Sequence, residues 1–373
     1  MSDGLDNSER LARLALYLGL KTSTAAFHRV LRQLGSAVAA FEGHDRAALG
    51  LNLAPLLAAG QFEEAADRLE EARQSGQEII IWGDENYPLR LNEIPDPPPV
   101  LWVKGGLEPG DQFAVCLVGS REAGPNGLSL ARRLARDGAR MGLTIVSGLA
   151  RGIDAEAHLG ALEGGGRTLA VLGSGLNWVY PKENARLYQE IAASGALISE
   201  FPPETKPLPV YFPRRNRVVA GLSLAVVVVE AGERSGALIT ARLGLELNRE
   251  VMALPGPAGA ASVRGTNSLI KRGAALVESM AEVVAEIKPR LLEGLTPPAG
   301  VVADRPGPLE DPGPPPGGPE AEIMAGLARG PLDIDSLTRA TGIGVADLTL
   351  LLLNLELSGQ VARLESGQFA LAK

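Results

Sequence analysis

The sequence predicts an open, doubly wound α/β sheet, and three observations carry that prediction. Short apolar runs recur between residues 113 and 277, as strands buried on both faces require. Amphipathic stretches at helical spacing separate these runs, which is the βαβ pattern of a parallel sheet. Glycine-bearing loops then close several of the runs: Gly119-Ser120-Arg121, Ser147–Gly152, Gly173-Ser174-Gly175 and Arg234-Ser235-Gly236. A barrel fits less well, because the strands are few and irregularly spaced.

Residues 1–75 read as a helical domain. Leu11, Leu14, Ala15 and Leu18 form one apolar face, and Phe27, Val30, Leu31 and Leu34 a second, stopped by Gly35-Ser36. Gln61–Arg73 is a third, charged helix. Glu78–Trp82 and Val100–Val103 are short strands joined by a proline-rich segment, which predicts a hairpin at the sheet edge. The sheet domain, residues 76–290, opens with the strand Phe113–Val118 and a helix carrying Leu128, Ala131, Leu134 and Ala135. Leu143–Val146, Thr168–Leu172, Ala196–Ser199, Ser223–Val229, Glu250–Leu254 and Ala274–Val277 follow as strands. Leu238–Leu247 and Met280–Ile287 are helices. Residues 291–318 are a Pro/Gly linker that cannot pack a core. In residues 319–373, Ile323–Leu327, Ile334–Ala340 and Val345–Leu357 read as helices and Val361–Leu371 as a hairpin turning at Ser366-Gly367. Three helices and a hairpin predict a winged helix.

Composition excludes several classes. The chain has 373 residues and one cysteine, Cys116, so it holds no disulfide framework and no cysteine metal site. No apolar run approaches the roughly 20 residues of a membrane span, and the N-terminus lacks the features of a signal peptide. A reducing, cytoplasmic setting is expected, away from any membrane. The net charge of −8 argues against a surface that coats nucleic acid, but charge acts locally. Thr205–Val229 holds Lys206, Arg214, Arg215 and Arg217 and no acid.

If the strands are parallel, the four glycine loops open on one sheet edge, where such folds bind ligands. Their amides and the side chains of Ser120, Arg121, Ser147 and Arg151 suit an anion. Gly119, Gly124 and Gly127 do not fall at G-x-G-x-x-G spacing, and no Walker lysine follows, so neither a nucleotide cofactor nor a metal is expected. Phe212-Pro213-Arg214-Arg215-Asn216-Arg217 places an aromatic beside three cations, a composition that holds single-stranded nucleic acid without reading its sequence. Lys182, in Tyr180-Pro181-Lys182-Glu183-Asn184, is within reach of the same rim. Catalytic signals are thin. His158 is expected to pack, Asp154 to cap a helix or orient Arg151, and the strand-end Glu200 and Glu230 are the best acid–base candidates.

Taken in order, GSREAGPNG, SGLARGIDAEAH, VLGSGLNWVYPKEN, SEFPP, FPRRNRVVAGLS, VVEAGERSGALITA, PGP and GTNSLIKRGA resemble the DNA-processing protein A (DprA, or Smf) family over roughly residues 78–290. The resemblance implies an extended Rossmann-like core, a SAM-like helical domain in front and a winged helix behind. It implies a non-catalytic homodimer that binds incoming single strands in natural transformation and loads the RecA recombinase, with single-strand DNA-binding protein as a further partner. It carries DNA contact to Arg121, Lys182 and Phe212. Gly119, Ser120, Ser147, Gly148, Arg151, Gly173, Ser174, Gly175, Ser235 and Gly236 would supply the loops around the phosphates, and Lys206, Arg214, Arg215, Asn216 and Arg217 the basic side. Many relatives have a lysine where this chain has Pro209, so Lys206 or Arg214 would have to replace it. The rival expectation is a nucleotide-binding hydrolase of the lysine-decarboxylase-like group. EAGERSGALIT lacks the double glycine and glutamate of that group's phosphate motif.

Overall fold

The computed structural model describes residues 5–20, 22–42, 60–295, 319–328, 330–343, 348, 351–352, 355, 360–363 and 368–371. The chain divides into two units, Met1–Pro297 and Pro298–Lys373. The first is built on a nine-stranded sheet: β1 (Gln77–Ile81), β2 (Val100–Gly105), β3 (Ala114–Val118), β4 (Thr144–Ser147), β5 (Thr168–Val171), β6 (Ala196–Ser199), β7 (Ala225–Val228), β8 (Glu250–Ala253) and β9 (Ala275–Leu276). Their spatial order is β1-β2-β6-β5-β4-β3-β7-β8-β9. From β6 through β9 every pairing is parallel, so the doubly wound sheet is present. The predicted edge hairpin is β1–β2, with β2 antiparallel to β6.

The helices in chain order are α1 (Asn7–Gly19), α2 (Thr24–Leu34), α3 (Ala37–Glu42), α4 (Gln61–Gln74), α5 (Leu89–Asn92), α6 (Pro125–Arg140), α7 (Ile153–Glu163), α8 (Ala185–Ser194), α9 (Tyr211–Gly221), α10 (Ala237–Glu246), α11 (Arg264–Lys271) and α12 (Met280–Leu295). Strand side chains alternate between two apolar layers, which is why β3 reads as a continuous apolar run. Ala114, Cys116 and Val118 meet residues of α9 and α10, whereas Val115 and Leu117 meet residues of α6, α7 and α12. Cys116 is fully buried there as plain core.

The N-terminal helices pack on the sheet rather than standing apart from it. Tyr17 and Phe27 share one apolar cluster with Ile79, Trp102 and Leu197. Polar ties hold the layer down: Arg10 pairs with Asp84 at 3.1 Å, and Arg13 donates to the Trp82 carbonyl at 2.6 Å. Gly35, at φ 76°, caps α2 in the left-handed conformation, as the predicted Gly35-Ser36 stop requires. α12 runs to Leu295 rather than ending at Ile287. Leu291 joins the core and Arg290 pairs with Glu250 at 3.0 Å, so its second half is held despite Pro289.

In the second unit, α13 (Pro319–Leu327) and α14 (Ile334–Thr341) accompany the antiparallel pair β10 (Val361–Arg363) and β11 (Phe369–Leu371). Leu348, Leu352 and Leu355, at helical spacing, join Ile323, Leu337, Val361 and Phe369 in one core. Leu351 packs against this core, while the other residues of the predicted helix Val345–Leu357, the turn at Ser366-Gly367, the linker from 296 on and His44 lie outside the described residues.

His158 is fully buried on α7, and its ring chemistry is set by packing. The Thr168 hydroxyl donates to the Ile145 carbonyl at 2.7 Å, so it accepts from His158 Nδ1 at 2.7 Å. Burial holds the imidazole down to about 3, below its usual 6.5. Between those values the unfolded chain binds a proton that the folded chain refuses, so stability falls as pH drops through that window. Urea midpoints at pH 7 and pH 4.5 test this. His158→Gln should lose less stability between the two than the parent chain, and an equal loss in both would show that His158 does not titrate this way.

Candidate functional site

The sheet reverses its winding direction between β3 and β7. From β3 the chain moves to β4, β5 and β6 on one side, and from β7 to β8 and β9 on the other. A crevice therefore opens between the loops after β3 and β7, as it does at such switch points in open α/β sheets. A cleft of about 740 Å³ fills it. Val118–Glu122 forms one wall and Gly232 with Arg234–Ala237 the other, while Phe212, Pro213, Arg215 and Asn216 at the start of α9 close the back. α9 is the crossover from β6 to β7, so it must pass the switch point.

Of the residues predicted to form the site, Gly119, Ser120, Arg121, Gly148, Phe212, Arg215, Asn216, Ser235 and Gly236 line this cleft. Phe212 is its centre. The ring is half-buried, with the Arg121 guanidinium carbon 5.6 Å and that of Arg215 6.0 Å from its centroid. Tyr180, also in the lining, packs on Phe212 with centroids 5.6 Å apart. Gly173 lies behind the ring, where a Cβ would meet Phe212 at 2.9 Å. Arg121 and Arg234 are exposed on opposite walls, and neither has an ion-pair partner among the described residues. Among those residues, no hydrogen bond within the fold takes the amide N–H of Arg121, Arg234 or Gly236. Two free guanidinium groups and open amides beside helix starts suit an anion of extended shape.

The arginines after Phe212 depart from the expectation that all three would hold a ligand's phosphates. Arg215 is buried, and it donates to the carbonyls of Gly148 and Val171 and to Asn216 Oδ1. Burial lowers its basicity, and the nearby Asp154 partly offsets this. Asp154 is itself buried and accepts from the amides of Gly148 and Ala150, so burial raises its carboxyl against those bonds and the arginine. Arg214 and Arg217 converge on the buried Glu200 at 3.0 and 2.7 Å. Arg214 also donates to Tyr17, Thr22 and Thr24, locking α9 to the N-terminal helices. Buried cations need partners, and here the fold supplies them.

Other predicted members are also engaged. The Ser147 hydroxyl donates to the Leu117 carbonyl, and Ser174 bonds within its own loop to the Trp178 carbonyl. The Ser120 amide donates to the Glu230 carbonyl at 2.7 Å, so it is not open to a phosphate. Gly175 packs against the carbonyls of Pro202 and Pro203. Arg151 pairs with Glu183 on the surface. Lys182 and Lys206 are exposed outside the lining, Lys182 two residues from Tyr180. The two acid–base candidates are structural: Glu200 neutralises arginines, and Glu230 accepts from the Gly124 amide at 3.1 Å. Asp154, Tyr180, Arg234 and Thr240 also line the cleft and are not among the residues predicted to form the site. The sequence predicts Asp154 as a helix cap or a partner of Arg151, and only its neighbour across the fold, Arg215, marks it as part of the cleft.

Together, the sheet and the switch-point cleft with its cation–aromatic wall define a Rossmann-like α/β protein with a cleft at the ends of its parallel strands. A family model described as DNA recombination-mediator protein A matches residues 78–288, and one described as the DprA winged helix domain matches residues 307–367. The chain belongs to the DNA recombination-mediator protein A family. It is 36% identical over 325 residues to Protein Smf of Synechocystis sp., covering 79% of this chain and 80% of that protein. The X-ray structure of DNA processing protein A from Streptococcus pneumoniae superposes with a TM-score of 0.59 at 34% identity, covering 76% of this chain and 99% of that one. DNA processing protein A from Helicobacter pylori, described for its single-stranded DNA binding mode, gives 0.51 at 30%, covering 58% and 96%.

Two glycines in the cleft separate scaffold from surface. A Cβ at Gly148 would overlap the buried, hydrogen-bonded Arg215 guanidinium, whereas a Cβ at Gly173 would meet the half-buried Phe212 ring less closely, at 2.9 Å. Gly148→Ala should therefore lose about 1–3 kcal/mol of stability and Gly173→Ala markedly less. Denaturant midpoints of the two variants check this ordering.

Proposed function

We propose that the cleft binds single-stranded DNA without sequence preference, and that the protein hands the bound strand to a RecA-type recombinase during natural transformation. The observation that carries this reading is the Phe212 ring, half-buried in the lining of the cleft, with the Arg121 and Arg215 guanidinium carbons 5.6 and 6.0 Å from its centroid. A flat ring offers a stacking face to any unpaired base, and exposed cations beside it hold the backbone. Duplex DNA hides its base faces and offers only phosphates. The family membership and the single-strand binding described for the H. pylori relative support the same ligand.

Arg121, Arg234 and Lys182 would hold phosphates, and Phe212 would stack. Arg215 acts differently from the expectation: it positions the ring and the loops rather than reaching for the strand. The assembly is proposed as a homodimer in the cytoplasm that binds rather than catalyses, with single-strand DNA-binding protein as a further partner. The winged helix, whose region 319–373 carries four basic and seven acidic residues, would work through protein contacts.

Fluorescence anisotropy on labelled single and double strands across salt tests the ligand. Arg121→Ala should weaken single-strand binding for all sequences alike and make the log–log salt slope shallower by about 0.7. Phe212→Ala should reduce single-strand affinity by about 1–3 kcal/mol per stacked base, barely change duplex binding and leave the melting temperature near that of the parent. Full single-strand affinity in a folded Phe212→Ala, Arg121→Ala double variant would overturn the assignment.

A further inference from the structure

We propose that Trp178 and Lys206 form an additional nucleotide subsite, carrying a bound single strand out of the cleft and along its rim. The proposal rests on the single-strand reading above. Trp178 is 37% exposed, an unusual setting for an indole. The Lys206 ammonium lies 5.5 Å from the centroid of its ring. Lys206 is exposed and has no ion-pair partner among the described residues. The acid nearest in sequence, Glu204, is already paired with Arg68 at 3.1 Å. An exposed indole with an ammonium over one side of its ring, carrying no carboxylate partner among the described residues, can hold one nucleotide of a single strand, the base on the ring and the phosphate on the ammonium.

The platform is held in place before any ligand arrives. Trp178 Nε1 donates to the Glu204 carbonyl at 2.9 Å. The two loops that carry the pair are zipped together, Gly175 N–H to the Thr205 carbonyl at 2.8 Å and Asn177 N–H to the Pro203 carbonyl at 3.0 Å. Four prolines, at 202, 203, 207 and 209, stiffen the second loop.

Each member is also a chain neighbour of the cleft. Tyr180 and Pro209 both line it. An extended chain covers at most about 3.6 Å per residue, so the Trp178 Cα lies within about 7 Å of that of Tyr180, and the Lys206 Cα within about 11 Å of that of Pro209. Tyr180 packs on Phe212, and Trp178 follows two residues before it in the chain, with Arg121 over the Phe212 ring and Lys206 over the Trp178 ring.

Oligothymidylates of two lengths, about 5 and about 15 nucleotides, within the range that single-strand sites cover, test the subsite on the full chain. The parent should gain affinity on lengthening. Trp178→Ala should bind the short strand as the parent does and lose about 5- to 150-fold on the long one, the equivalent of one lost stack. Lys206→Gln should make the salt slope shallower by about 0.7 on the long strand alone. Trp178→Phe keeps a stacking ring, so it should keep affinity but lose the tryptophan quenching that the long strand produces in the parent. The other two tryptophans, Trp82 and Trp102, are largely or fully buried. If Trp178→Ala does not fold, the phenylalanine and glutamine variants still decide the matter. Parent-like length dependence in Trp178→Ala, or unchanged quenching and salt slope in the other two, overturns the subsite. A parent chain that binds neither length would instead overturn the single-strand reading itself.

Discussion

The cleft depends on one buried cation. Arg215 enters the space between β4 and β5 from α9, and its guanidinium ties the carbonyls of Gly148 and Val171 to the helix that carries Phe212. A buried arginine is costly unless it is fully partnered. This requirement fixes its surroundings: Gly148 must lack a Cβ, Asp154 must supply compensating charge, and α9 must sit where the fork reaches both carbonyls. The position of Phe212 follows, because it is one turn away on the same helix with Gly173 shaped to receive it. The shape of the cleft is thus a by-product of how a charge is buried beneath it.

A second charge cluster does related work on the same helix. Glu200, at the end of β6, gathers Arg214 and Arg217, and Arg214 continues to Tyr17, Thr22 and Thr24. Burial pushes the Tyr17 hydroxyl well above its usual value, with Glu200 adding to the shift. It stays a neutral hydrogen-bonding group whatever the pH of a cell. Three successive basic positions on α9 therefore serve structural tasks, and the arginines without ion-pair partners among the described residues, Arg121 and Arg234, lie on the facing loops.

Much of the fold was legible in the sequence. Apolar runs fully buried on both faces leave little choice but a parallel sheet, and the loops after β3, β4, β5 and β7 could be placed on one edge from that alone. The roles of single arginines were not legible. Arg214, Arg215 and Arg217 look alike as letters, and their partners, Glu200, Gly148 and Val171, are brought to them by other strands. A composition without acids suggested a cationic surface, yet the neutralising carboxylate came from another strand end. Asp154 and Tyr180 were hidden for the same reason. What marks them is proximity to Arg215 and Phe212, which only the folded chain creates.

The loop from Pro202 to Pro209 has a thermodynamic consequence. Four of its eight residues have a backbone torsion fixed by a ring, and the carbonyls of Pro203, Glu204 and Thr205 already accept hydrogen bonds from the neighbouring loop. Such a loop has few conformations to lose when something settles on it. A flexible polymer lying along this rim would be ordered by a surface that is itself already ordered. The entropy given up on association would then belong almost entirely to the polymer, and grip on each unit would depend on the ligand's stiffness more than on its sequence.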